Sequence, residues 1–499
     1  MEFTIQREGN LVAITPAAEA EALLAAALSY WHASYDLVMR KGKRPVRKMQ
    51  NRRKLLYSVE PETDQLLAPY GMYDRAIRKI KSKKHTHTFV DHSNIDRPQP
   101  NFTAMYSAFP GLKFKEGQQE ILALMAIHDI GRFKCATAFG KSFTIRLACA
   151  AFPQARFLIV MPGIPNIKGM FKELIAATPN VGMYGGGKKQ DEKRVVVACK
   201  ASLGNIDVNS FDFLLYDEVH SAGAPKVQVE LARAWKPKMF GFSANMEGRC
   251  DKADKVVEAL FGPVLYEVNY KEAEANNLVS AMVVLRLKLD SCPGADIFTT
   301  NSVARKRAMY WRNERRNKLM ADFINLGLQE HCEVKDPQIL VLVDVIDHAA
   351  HLSRMLPDFT VVHGDGGNKE DERLTEMTTY ISEVNGQVMT AKARDKYQED
   401  FASGKLRRVI ATGCWGTGVD FPGLNVLVLA SGPASEIITT QWPGRAARLA
   451  DGKTVGLVVD PSDEWNDWPY SRAQKREAVY KSSGWPIKEI GGTRWGGVK

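Results

Sequence analysis

The chain has no cysteine pair of the kind that chelates zinc or forms a redox loop. Seven cysteines (135, 149, 199, 250, 292, 332 and 414) are scattered over 499 residues without a Cys-x-x-Cys. That spacing excludes a disulfide scaffold and a zinc-ribbon fold, and leaves reduced thiols as the expectation. Long apolar runs are missing too. None reaches the roughly 18–20 residues of a membrane-spanning helix, and the polar, acidic start Met1-Glu2-Phe3-Thr4 is unlike a secretory leader. Cytoplasmic residence is the expectation. Disorder is excluded by a hydrophobic share of 45% and a charged share of 25%, both ordinary for globular protein. The length implies roughly three domains.

Acidic residues are absent where basic ones are densest. Residues 40–54 read RKGKRPVRKMQNRRK, and Arg75, Arg78, Lys79, Lys81, Lys83 and Lys84 follow. With a net charge of +11, such a stretch attracts polyanions through counterion release. Its density favours a phosphate-binding surface over a merely solvated face, and Arg44, Arg47, Arg52 and Arg53 are its candidate contacts. The turn-rich DHSNIDRPQPN at 91–101 predicts a domain boundary. Beyond it, short apolar runs at 157–160, 195–198 and 213–216 alternate with helical patterns, and the alternation resumes at 339–343, 408–411 and 426–429. Continuous apolar strands separated by helices are what a parallel sheet covered on both faces requires. The expected fold class is therefore α/β. It comprises a small basic α+β domain over 1–100, one parallel-sheet lobe over 101–275 and a second over 276–499 with a short C-terminal extension.

The chemistry-bearing motifs fall in those two lobes. After the strand-like Arg132–Cys135 comes Ala136-Thr137-Ala138-Phe139-Gly140-Lys141-Ser142, which opens a helical pattern. A phosphate site needs backbone N–H groups at a helix start, an ammonium for the β and γ groups and a hydroxyl for Mg²⁺. Ala138, Phe139, Gly140, Lys141 and Ser142 supply them, although Cys135 stands where the strict pattern has glycine. The run 213–216 ends in Asp217-Glu218-Val219-His220. There Asp217 can share Mg²⁺ with Ser142, and Glu218 can polarise an attacking water.

Phosphate loop and acidic strand tip together resemble those of superfamily 2 helicases, and the other motifs occur in that order. Gln118 matches the glutamine that reads adenine, with Gly117 in place of the usual aromatic. Ser243-Ala244-Asn245 stands where Ser-Ala-Thr couples hydrolysis to movement. Gly416-Thr417-Gly418-Val419-Asp420 is similar to motif V, in which Gly418 and Asp420 belong to the nucleotide site. Gln441-Trp442-Pro443-Gly444-Arg445-Ala446-Ala447-Arg448 is similar to motif VI, whose Gln441, Arg445 and Arg448 approach the γ-phosphate.

The resemblance implies two RecA-like lobes around one ATP, with Mg²⁺. Looser similarity at 53–83, with Arg316-Asn317, Arg476, Tyr480, Gly484 and Trp485, points to the UvsW-type phage helicases. It implies a monomeric enzyme in a bacterial host that remodels branched, duplex and single-stranded DNA in recombination, replication and repair. Two alternatives stay open: an RNA helicase, although the Asp-Glu-Ala-Asp and Ser-Ala-Thr signatures are absent, and a non-catalytic DNA-binding protein with a decayed ATP site. Tryptophans 465, 468, 485 and 495 could stack on bases, with core packing expected for at least half of them.

Overall fold

The computed structural model describes the chain except residues 41–42, 94, 96, 112–113, 116, 137–138, 247–252, 290–300, 365–371, 417–418, 420, 451–452 and 492–499, and except the side chains of 33–50 and 437. It resolves into two compact units, the first made of residues 1–136 and 140–268 and the second of residues 269–499 with the short piece 137–139.

The first unit starts with a mixed sheet of β1 (Glu2–Glu8), β2 (Leu11–Thr15), β5 (Ser58–Glu60), β6 (Gln65–Pro69) and β7 (Thr86–Asp91), in the order β5-β6-β2-β1-β7. Only the β1–β7 pair is parallel. Strict alternation buries Phe3, Ile5, Val12 and Ile14 on one face, where they pack with Leu24 and Ile80 of the helices Ala17–Leu24 and Tyr73–Ser82. The basic stretch lies in a hairpin of its own, β3 (Ser29–Arg40) against β4 (Lys43–Leu55), which form a separate two-stranded sheet.

This domain is bolted to the lobe that follows. Arg7, only 1% exposed, donates to Asp129 at 2.8 Å, and Arg97 grips the same carboxylate through two further bonds. Arg75 forms a forked pair with Glu258, at 2.6 and 2.7 Å. The backbone of Gly71 packs so closely that a Cβ there would lie 2.2 Å from the Glu258 carbonyl oxygen. Arg75 therefore serves docking, although the sequence groups it with the basic surface.

The lobe itself is an eight-stranded sheet ordered β11-β10-β12-β9-β13-β14-β8-β15. Its strands are β8 (Ile130–Cys135), β9 (Phe157–Met161), β10 (Val181–Gly185), β11 (Lys188–Lys189), β12 (Val195–Cys199), β13 (Phe213–Asp217), β14 (Lys238–Ser243) and β15 (Val264–Val268). All pairings are parallel except β10–β11. Every residue of β9, β12, β13 and β14 is buried, as central strands covered on both faces must be.

The second unit carries a wholly parallel seven-stranded sheet, β18-β19-β17-β20-β21-β16-β22. These strands are β16 (Ala281–Lys288), β17 (Ile339–Leu342), β18 (Thr360–Val362), β19 (Arg408–Ala411), β20 (Val426–Val428), β21 (Val455–Pro461) and β22 (Ile487–Gly491). The fold is thus the expected pair of parallel-sheet lobes behind an α+β domain. No described helix is long and apolar enough to cross a membrane.

Candidate nucleotide site and motor motifs

Strand order assembles the first half of the site. Because β13, β14 and β8 are neighbours, with Asp217 opposite Phe242 and Ser243 opposite Lys134, the three motifs that follow them emerge side by side at the carboxyl edge of the sheet. Open α/β sheets bind ligands at this edge.

The phosphate loop closes on Gly140, whose φ of +101° is a conformation open to glycine and strained for other residues. Gly140 precedes the helix Lys141–Ala151, so Lys141 and Ser142 occupy its first turn, where free backbone N–H groups face an anion. Cys135 stays within β8 and lacks positive φ, so the position does not need glycine's freedom. Burial pushes its thiol up to about 12, which keeps it neutral despite Lys141. Phe139 is buried, and Ala138 lies outside the described residues.

Gln118 sits beside this loop, 1% exposed, with its Nε2 in close contact range of Gly140, 3.3 Å from a Cβ built there. Its Oε1 accepts from the Lys115 N–H at 3.0 Å, while Nε2 is buried without a partner among the described residues. An amide donor held this way fits a ring nitrogen acceptor of adenine. At the position of the missing aromatic, Gly117 has φ +81° and a built Cβ lies 1.9 Å from the Tyr266 hydroxyl oxygen. The departure from the usual aromatic is therefore enforced by packing.

Asp217 ends β13, and Glu218 follows in the left-handed region at φ 53°, ψ 55°, a strained placement for a side chain of this type. Gly241 on β14 makes room for the turn, since a Cβ there would meet Val219 at 2.4 Å. The two carboxyls titrate as a pair. Burial and then the Glu218 charge push Asp217 up to about 7. Burial also opposes charge on Glu218, but Lys141, His220 and the Ser243 hydroxyl outweigh it and bring that group down to about 2. A divalent cation would favour ionised Asp217, and the donor set of Ser142 and Asp217 is the hard-oxygen kind that Mg²⁺ takes.

Ser243 is the hub between the acidic tip and the third motif. Its Oγ lies 3.2 Å from Glu218 Oε2, 2.8 Å from the Asn245 carbonyl and 3.0 Å from His220 Nδ1, and it accepts from the Asn245 N–H at 3.3 Å. One hydroxyl proton can go to Glu218 or to the Asn245 carbonyl, not to both. Asn245 makes both bonds to Ser243 with its backbone, so replacing threonine there leaves them intact. Ala244 merely spans the turn.

In the second unit, β17, β19 and β20 are neighbours, and their carboxyl ends gather the remaining motifs. Thr417, Gly418 and Asp420 lie outside the described residues. Gln441 ends the helix Glu436–Gln441, and Arg445 follows in the helical turn Pro443–Arg445. Arg445 is buried, and its guanidinium donates to the carbonyls of Trp415 (2.9 Å), Gly416 (2.7 Å) and Val419 (3.2 Å). It therefore braces the motif V turn from behind. Arg448 is half-buried, with its carbonyl fixed by Ser280 Oγ at 3.0 Å. Trp485 is buried against Tyr480 and Tyr270, and Trp468 sits between Arg472 and Arg305, so both serve packing. Trp495 lies outside the described residues.

Comparison with known proteins agrees with this layout. Residues 112–248 match the family described as "Type III restriction enzyme, res subunit", and residues 318–450 match "Helicase conserved C-terminal domain". No curated protein matches the chain. Among solved structures, the type ISP restriction-modification enzyme LlaBIII bound to DNA aligns at 14% identity and TM-score 0.53, over 82% of this chain and 34% of that one. Saccharomyces cerevisiae Dbp5 bound to RNA and ADP BeF3 aligns at 11% and 0.52, over 79% and 93%. UvsW of phage T4 aligns at 15% and 0.42, over 99% and 100%. Two helicase lobes, each with its own family match and each presenting its motifs at the carboxyl edge of a parallel sheet, make this chain an ATP-hydrolysing helicase of superfamily 2.

Proposed function

We propose that the enzyme is a DNA helicase or translocase that remodels branched DNA, such as forks, Holliday junctions and R-loops, in recombination, replication and repair. The observation that carries this reading is the basic hairpin β3–β4, whose residues 40–54 include no acid, on a domain anchored to the ATP-binding lobe by the Arg7–Asp129 and Arg75–Glu258 ion pairs. Arg52 and Arg53 are exposed on it, and Trp31, 58% exposed, pairs across the strands with Arg53. Positive charge without a base-reading motif grips backbone phosphates and positions a duplex without selecting sequence. A motor that must hold the duplex arm of a junction needs that kind of arm. The first lobe's match to a restriction-enzyme subunit also favours DNA.

In this reading Lys141 binds the β and γ phosphates, and Ser142 and Asp217 would hold Mg²⁺, which would supply charge neutralisation to the phosphates. Glu218 orients the attacking water, and Ser243 reports its state to Asn245. Gln118 reads adenine through its Nε2, which has no partner among the described residues. Arg448 is the cation offered to the γ-phosphate in the transition state, and Arg445 holds the turn that precedes it in space. The deciding measurement is steady-state ATP hydrolysis with a four-way junction, duplex DNA, single-stranded DNA or RNA as the added polymer. Stimulation by DNA, strongest with the junction, is expected. Stimulation by RNA alone would make the enzyme an RNA helicase, and no hydrolysis under any condition would make it a binding protein.

A further inference from the structure

The segment Ala430-Ser431-Gly432-Pro433 carries the chain from β20 into the helix of motif VI. Three arginines from two other helices hold its carbonyls. Arg316, on the helix Glu314–Asp322, donates to the Ala430 carbonyl at 2.9 Å. Arg472 and Arg476 lie on the helix Asp467–Ser483. Arg472 donates twice to the Gly432 carbonyl, at 3.1 and 3.3 Å, and Arg476 donates to the Pro433 carbonyl at 3.1 Å.

The arginines are themselves fixed. Arg316 forks onto Asp463 at 2.6 and 3.1 Å, both groups wholly buried, and Arg476 binds Asp460 at 2.8 and 3.0 Å. Arg472 lies over the Trp468 ring, 4.9 Å from its centre, and Arg316 over the Tyr310 ring at 4.6 Å. Tyr310 in turn blocks any side chain at Gly432, whose φ is +55° and whose built Cβ would come within 3.0 Å of that ring. Donors forked onto buried acids leave the loop little freedom to shift, because any movement strands charged hydrogen bonds in an apolar interior.

We infer that Arg316, Arg472 and Arg476 are positioning residues for ATP hydrolysis. They fix the loop from which the motif VI helix starts and so aim Arg448. The Asp467–Ser483 helix is then a working part of the motor, although it and Arg316 lie outside the residues matched by the helicase C-terminal family. This inference rests on the assignment of Arg448 above.

Arg472 is half-exposed, so Arg472→Gln should fold. The test is a double-mutant cycle of R472Q and R448A on the intact chain, read as DNA-stimulated kcat, KM for ATP and melting temperature, with R472K as the conservative control. The expected result is about a tenfold fall in kcat for R472Q with little change in KM, since misplacing a transition-state group by even an ångström costs rate more than binding. R472K should recover part of it, and R472Q should add nothing in the R448A background. Unchanged kcat in R472Q, a shift in melting temperature alone, or losses that multiply in the double variant would each overturn the inference while leaving Arg448 in place. Normal hydrolysis by R448A would overturn both assignments.

Discussion

Lys141 and Glu218 face the same small volume but should fail differently. In the proposed roles Lys141 contacts nucleotide in the ground state and in the transition state, so Lys141→Ala should lose both ATP affinity and hydrolysis. Glu218→Gln keeps the lysine and the metal donors, so it should bind ATP near normally while turnover falls by about a hundredfold or more. Equilibrium binding of a fluorescent ATP analogue beside steady-state hydrolysis separates the two, and equal loss of affinity in both variants would contradict the roles. Arg445 and Arg448 divide in a similar way. Arg445→Ala strands three buried carbonyls at Trp415, Gly416 and Val419 and should lower the melting temperature along with turnover. Arg448→Ala should lower turnover with ATP affinity largely kept. The motif names both arginines alike. Their difference was invisible in the sequence because it depends on carbonyls 26 to 30 residues away.

Among the elements, those made entirely of apolar residues were legible from the chain. The runs at 157–160, 195–198 and 213–216 lie within β9, β12 and β13, because a strand covered on both faces has no polar positions to disguise it. The edge strand β15 was not legible, since its Val264, Leu265, Tyr266 and Glu267 are exposed or half-exposed and its pairing is bulged. Nor was the way the N-terminal domain is anchored, because Arg7 and Asp129 stand 122 residues apart. That anchor has a pH signature. Burial works against the Asp129 charge, but the hydrogen bonds from Arg97 and Arg7 outweigh it and hold the carboxyl below its usual range. A carboxyl lowered by folding contributes fully above its unfolded pKa of about 3.9 and loses that contribution as pH falls through the folded value. Asp129→Asn should therefore destabilise the docked domain at neutral pH by roughly 3 kcal/mol, since Arg7 stays buried with a weaker partner. It should also flatten the acid dependence below about pH 4. Limited proteolysis of the 92–101 segment across pH reads both effects, and identical profiles for the variant and the parent chain would assign the anchoring to the Arg75–Glu258 pair instead.

For the whole molecule, the proposed reading separates two functions: ATP hydrolysis by the lobes, and recruitment of DNA by the basic hairpin. The hairpin lies in a sheet of its own, remote in sequence from every residue of the nucleotide site, so neutralising it should leave the catalytic groups undisturbed. Its charges should act through counterion release, which costs nothing at saturating polymer and dominates at low concentration and high salt. The variant with Arg44, Arg47, Arg52 and Arg53 all changed to Gln should therefore bind a four-way junction more weakly, with a log–log salt slope flatter by up to about 0.9 for each phosphate it no longer neutralises. Junction unwinding should fall steeply with it. ATP hydrolysis at saturating single-stranded DNA should persist, because in the proposed reading the lobes grip phosphates of their own. If the four-fold variant keeps the junction affinity and salt slope of the parent chain, the hairpin is only a solvated arm, and the duplex must be held by the lobes alone.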